Sequence, residues 1–168
     1  VLGTEDGVQA ARSVNIGCVR LTERHMASAP ATSDQIQRVE ADTDAAIDSV
    51  LQSVPLEKAT RAVAVAGTAT TIAAAALGLK TYDSEAINGS SISVDTVQKT
   101  AEMLRSMTRE ERAALGYMHP GRVDVIGAGA TIYARIMTRL REITEGNIDS
   151  VTVSEHDILD GIALSQVR

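Results

Sequence analysis

Hydrophobic and polar positions along this chain follow two periods. Residues 62–66 (AVAVA) form a short apolar run between Arg61 and Gly67, the pattern of a strand inside a sheet. A Gly-Thr turn leads from it into a helix over 72–77. Residues 8–16 read as a strand ending at Gly17, and the Gly and Asp of 3–7 read as a hairpin turn before it. A helix is expected over 19–27, with Thr22 and Glu23 near its first turn. Ser33 and Asp34 are expected to cap a longer helix to about 54. Its stripe is Ile36, Val39, Ala46, Ile47, Val50 and Leu51, and Pro55 ends it.

Residues 82–91 read as a polar loop, after which Ser93 caps a helix to about 107 with Val94, Val97, Ala101 and Leu104 as its stripe. Thr108 to Glu111 (TREE) is a capping box for a short helix that stops near Gly116, and His119-Pro120-Gly121 is a breaker. Over 122–143 the apolar positions Val123, Ile126, Ala130, Tyr133, Met137 and Leu140 step by three or four, which predicts a helix. Gly127 and Gly129 lie inside that period, where each costs roughly 1 kcal/mol relative to Ala. Close packing of a smooth surface, Gly127 to Ala130, against another element would offset the cost. Residues 151–154 read as a last strand and 157–167 as a final helix with Ser154 as its cap.

Strands thus alternate with helices, and one helical insertion (93–143) separates two of them. The pattern predicts a single layered α/β domain over 1–168. With no Phe or Trp and three Tyr, the core is expected to be aliphatic. The net charge of −6, with no basic block, argues against nucleic-acid binding. No run approaches the roughly 18 apolar residues of a membrane span. The single Cys18 forms no internal disulfide, which suits a reducing cytoplasm, and it reads as a small buried filler. The chain begins Val1-Leu2-Gly3, in what reads as the end of a strand, so a piece of a longer protein is expected.

Candidate chemistry centres on Gly67, Thr68, Thr70 and Thr71. Glycine lets a ligand approach the main chain, and a helix N-terminus presents unsatisfied donors and partial positive charge to an anion. No Lys follows the glycine, so this is not the Gly-Lys-Thr phosphate loop. A plain strand-to-helix turn with a Thr cap stays open beside the phosphate reading. Arg20 is a second anion candidate. Arg122 and Asp124 read as a local ion pair or cap, and Glu23 as a helix-start acid. His25, His119 and His156 lack metal-ligand spacing, and Glu110-Glu111 reads as a cap with a solvated face.

Four motifs occur in order: GCVRLTE (17–23), AGTATT (66–71), MHPGRVDVI (118–126) and VSEHDILDG (153–161). Together they resemble the exopolyphosphatase / guanosine pentaphosphate phosphohydrolase family, most closely its short two-domain actinobacterial members. The resemblance implies a ribonuclease-H-like domain of the actin-like ATPase and sugar-kinase superfold. This chain would be the second domain only, lacking its first strand and carrying a helical insertion. It further implies a cytoplasmic, magnesium-dependent hydrolase acting on polyphosphate or guanosine pentaphosphate. The activating Glu and acidic metal groups would lie in a first domain outside this chain. Gly67, Thr68, Thr70 and Arg20 are then the expected phosphate-binding residues, with no catalytic residue and no metal ligand here. The first domain of the same protein is the expected partner, with a homodimer as a further expectation. Where many members have an Arg near the end, this chain has Asp160, so phosphate contact there is not expected. Alternatives are a non-catalytic phosphate- or nucleotide-sensing domain and a kinase of the same superfold.

Overall fold

A computed structural model describes residues 1–166. Strand β1 (Leu2–Thr4) and strand β2 (Gly7–Ala10) form an antiparallel hairpin around the expected turn. The expected strand over 8–16 is therefore shorter, and the segment after Ala10 is irregular as far as helix α1 (Cys18–His25). Helix α2 (Ser33–Leu51) follows. Its cap is Thr32, just before the expected pair. The Thr32 hydroxyl accepts from the Gln35 N–H, and the Gln35 side chain accepts from the Thr32 N–H.

Strand β3 (Ala62–Ala64) leads into helix α3 (Ala66–Ala76). This helix starts well before its expected position, so Gly67 and Thr68 lie in its first turn, not in a turn before it. The polar loop contains helix α4 (Ser84–Ile87) and ends in strand β4 (Ser91–Ser93). Sequence periodicity does not show β4, because so short a segment carries no period. Helices α5 (Val94–Ser106), α6 (Arg109–Ala113) and α7 (Ile126–Ile143) then precede strand β5 (Ser150–Val153). Ser93 caps α5, and Thr108 with Glu111 forms the expected box on α6. Helix α8 (Ile158–Ser165) is capped by Asp157 and Asp160, not by Ser154. The far end of the helix expected over 157–167 lies outside the described residues.

The main sheet has the order β3-β5-β4, with β3 parallel and β4 antiparallel to β5. Helices α3, α5 and α7 pack together over it. The core is aliphatic, as composition requires: Val94, Val97, Ala101 and Leu104, the whole expected stripe of α5, are fully buried. Helix α7 is the central element and touches α1, α2, α3 and α5. Its Gly127, Ala128, Gly129 and Ala130 are all buried, so the smooth surface is used. On its far side Arg135 grips Asp44 of α2 with two 2.8 Å bonds, and Arg139 joins Asp44 to Asp48. Helix α8 buries none of its described residues, and Ile158, Leu159, Ile162 and Leu164 are exposed.

Candidate phosphate site

Helices α2, α4, α5, α6 and α8 each start under a side-chain cap. Helices α1, α3 and α7 do not: Gly17, Val65 and Val125 stand at their N-cap positions and offer no side-chain acceptor. Their first N–H groups are therefore available to an external acceptor. The starts of α1 and α3 converge on α7. A β-carbon built on Gly129 would stand 3.0 Å from the Thr68 hydroxyl and 3.2 Å from the Cys18 β-carbon. Only a glycine admits both at this spacing. Cys18 is partly exposed, so it packs as a spacer at this junction and not as a fully buried filler.

The threonines of α3 do not cap it, which removes the plain Thr-capped turn. Thr71 donates to the Gly67 carbonyl at 2.7 Å, and Thr70 to the same carbonyl at 3.4 Å. Ala66, the first residue of the helix, has φ +69°, a left-handed conformation unfavourable for any residue with a β-carbon.

Arg122 stands elsewhere than its sequence neighbourhood predicts. Its expected partner Asp124 instead accepts from Arg109 Nε at 2.7 Å. The Arg122 guanidinium has no ion pair among the described residues and lies directly over Gly67. A β-carbon there would fall 1.5 Å from Nη2 and 1.7 Å from Cζ. Pro120 and the His119 ring, which accepts from the Gly121 N–H at 3.1 Å, shape the turn that delivers it. The available signal is the glycine itself: a smooth residue at a helix start leaves room for a bulky neighbour.

Arg122, Thr70, Thr71, Tyr82, Tyr117 and His119 line a cavity of about 420 Å³ against the first turns of α3. Tyr82 donates to Glu155 at 2.6 Å; burial first, then this carboxylate, push its hydroxyl above the ordinary value of 10.0. Tyr117 is pushed the same way by burial. Gly67 and Thr70 are thus brought together with Arg122, whereas the Thr68 side chain faces Gly129 of α7 and does not line this cavity. Arg20 stands apart from that cavity, exposed on the first turn of α1 and without an ion pair among the described residues.

No three His, Cys, Asp or Glu side chains gather into a metal site among the described residues. His25 is engaged with Asp42 and His156 with Asp160. Glu23 is exposed and lies beyond the first turn of α1. Asp160 is spent on the N-terminus of α8, where it accepts from the Asp157 N–H at 2.9 Å. No helix among the described residues is long and apolar enough to cross a membrane.

Solved structures share this architecture. A crystal structure of an exopolyphosphatase-like protein superposes with a TM-score of 0.92 at 41% identity, over 95% of this chain and 51% of that one. The Aquifex aeolicus member of the Ppx/GppA protein family gives 0.72 at 25% identity, over 92% of this chain and 47% of that one. The domain therefore has the actin-like ATPase fold. The Ppx/GppA phosphatase family model matches residues 1–166, and the chain belongs to that family. Exopolyphosphatase 2 of Mycobacterium tuberculosis is 46% identical over 165 residues, in strain CDC 1551 / Oshkosh and in strain H37Rv alike. Those residues are 98% of this chain and 51% of the relative, so the chain spans about half the length of the relatives it matches.

Proposed function

We propose that this chain is the second domain of a phosphohydrolase that removes the terminal phosphate from inorganic polyphosphate or guanosine pentaphosphate. The observation that carries this reading is the Arg122 guanidinium over Gly67, beside a helix start without a cap. Backbone N–H groups of Gly67 and Thr68 and the Arg122 fork meet phosphate oxygens, where fixed donors neutralise the charge that develops during phosphoryl transfer. Thr70 shapes the cavity wall, since its hydroxyl is already committed to the Gly67 carbonyl. Arg20 meets a more distant part of an extended polyanion.

In this reading water activation and the ligands for magnesium belong to the first domain, as the family resemblance implies. Two surfaces support an absent half. The β1–β2 hairpin and the main sheet are not hydrogen-bonded to each other. A groove of about 860 Å³ separates Leu2–Thr4 from Ala62 and Val63, floored by Ile47, Val50, Ile136 and Leu140. One further strand there would join the two sheets and satisfy both free edges. The apolar face of α8 is the second surface to be covered.

The test is the full-length protein with magnesium and either short polyphosphate or guanosine pentaphosphate. Release of orthophosphate from one of them is expected, and release from neither overturns the reading. Arg122→Gln is expected to raise KM about tenfold, the value of one charge-assisted contact. An unchanged KM removes Arg122 from the phosphate site.

A further inference from the structure

The cavity beside α3 offers more than a phosphate group uses. Its volume of about 420 Å³ falls within the roughly 300–1,000 Å³ typical of small-molecule sites. The chain has three tyrosines and no Phe or Trp, yet two of the three, Tyr82 and Tyr117, line this one cavity beside Met118 and His119. Arg122 is the only permanently charged side chain among the described residues of its wall. The cavity is therefore suited to one anionic group at the arginine and a neutral, planar remainder.

Two polar groups in the wall are unused. Tyr117 is only 7% exposed, and its hydroxyl makes no hydrogen bond among the described residues. That hydroxyl is not sealed in, as those of Ser90 and Tyr133 are, so its remaining surface opens on the cavity that the residue lines. His119 accepts from the Gly121 N–H through Nδ1 at 3.1 Å, which puts the proton of the neutral ring on Nε2, and Nε2 has no partner among the described residues. Tyr82, by contrast, is held. Its hydroxyl donates to Glu155 at 2.6 Å, and the Glu155 N–H donates to Asn88 at 3.1 Å. The exposed Tyr82 ring thus stands at the rim with its polar end committed and its apolar body left to a ligand.

We propose that this cavity holds the base of a nucleoside phosphate, so that the site selects a nucleotide over an inorganic phosphate chain. One phosphate meets Arg122 over Gly67, the base lies against the Tyr82 ring, and its polar edge meets the Tyr117 hydroxyl and the His119 Nε2–H. An inorganic chain carries charge on every unit, and units placed among these rings would be buried without partners. A neutral base incurs no such cost. The inference rests on the phosphohydrolase reading for the phosphate end and names, within it, the substrate class.

The probes are guanosine diphosphate and inorganic diphosphate, which carry the same number of phosphates and differ by the nucleoside. Calorimetry measures the binding of each to the full-length protein, and orthophosphate release from guanosine pentaphosphate and short polyphosphate is followed separately. Guanosine diphosphate is expected to bind at least about tenfold more tightly, the value of one stacked base. The NMR ring signals of Tyr82 and Tyr117 are expected to move with it and not with inorganic diphosphate. Tyr82→Leu is expected to cut the preference about fivefold, and Tyr82→Phe, which keeps the ring, to hold it within about twofold. Tyr117→Phe is expected to cut the preference about fivefold without lowering the melting temperature, since the lost hydroxyl had no protein partner. Equal binding of the two probes, tyrosine signals unmoved by the nucleotide, or a preference unchanged in both Tyr82→Leu and Tyr117→Phe each overturns the proposal. The expected binding pattern without orthophosphate release from either substrate would overturn the phosphohydrolase reading and leave the nucleotide site standing.

Discussion

Gly67 and Arg122 occupy one another's space: the guanidinium sits where a β-carbon at position 67 would project, 1.5 Å from Nη2. The obstructing atoms are the far end of a flexible side chain, so the backbone need not move to admit a methyl group. Gly67→Ala is therefore expected to leave the fold intact while displacing the arginine. In the full-length protein kcat/KM should fall by about 10²-fold, the cost of removing one fixed charge-stabilising donor. A change of less than about twofold, with the circular dichroism spectrum preserved, would show that the Arg122 position is immaterial to catalysis.

Gly116 gives the opposite case. A β-carbon there would stand 2.3 Å from the Lys80 carbonyl oxygen, a backbone atom. Gly116→Ala forces two chain segments apart and is expected to destabilise the protein by about 3 kcal/mol, the upper range for overpacking. Thermal unfolding measures this, and a melting temperature equal to the parent's would refute it.

Ala66 holds φ +69° beside the candidate site. A left-handed conformation costs a residue with a β-carbon about 1–2 kcal/mol, while glycine loses about 0.5–1 kcal/mol through chain entropy. Ala66→Gly is thus expected to stabilise by about 0.5–1 kcal/mol, read as a higher urea midpoint at unchanged slope. A lower midpoint would show that the strain is compensated locally.

Acid should loosen the α2–α7 contact. The Arg135 hydrogen bonds, then those of Arg139, hold the Asp44 carboxyl below its ordinary 3.8 against the opposing effect of burial. The native carboxyl is the stronger acid, so its contribution is complete well above pH 3.8. It is lost as pH falls below 3.8 and through the depressed native value. Asp44→Asn should cost about 1 kcal/mol at pH 7, and its stability should converge with the parent's in strong acid. A difference that does not shrink there would contradict the assignment.

Those parts of the fold that are set locally are legible in the sequence. The Thr108–Glu111 box and the α5 stripe depend on residues three or four apart, and both appear where expected. Strand β4 is not legible, because Ser91–Ser93 becomes a strand only by pairing with Ser150–Thr152, about sixty residues later. The site divides in the same way. Gly67, Thr68 and Thr70 belong to one helix start and can be read together. Arg122 comes to them from another element, and nothing in the run 119–124 (HPGRVD) signals that its charge passes over the nearby Asp124 to reach Gly67. The family resemblance, in contrast, rests on motif order, which survives without any knowledge of contacts; the match over residues 1–166 supports it.

Helix α7 carries no group to the cavity beside α3 from its glycine stretch, yet a β-carbon built on Gly129 would stand within 3.2 Å of Thr68 of α3 and Cys18 of α1. The spacing of two separate donor ends is therefore gauged by a third part that belongs to neither. Its tolerance is the difference between a hydrogen atom and a methyl group.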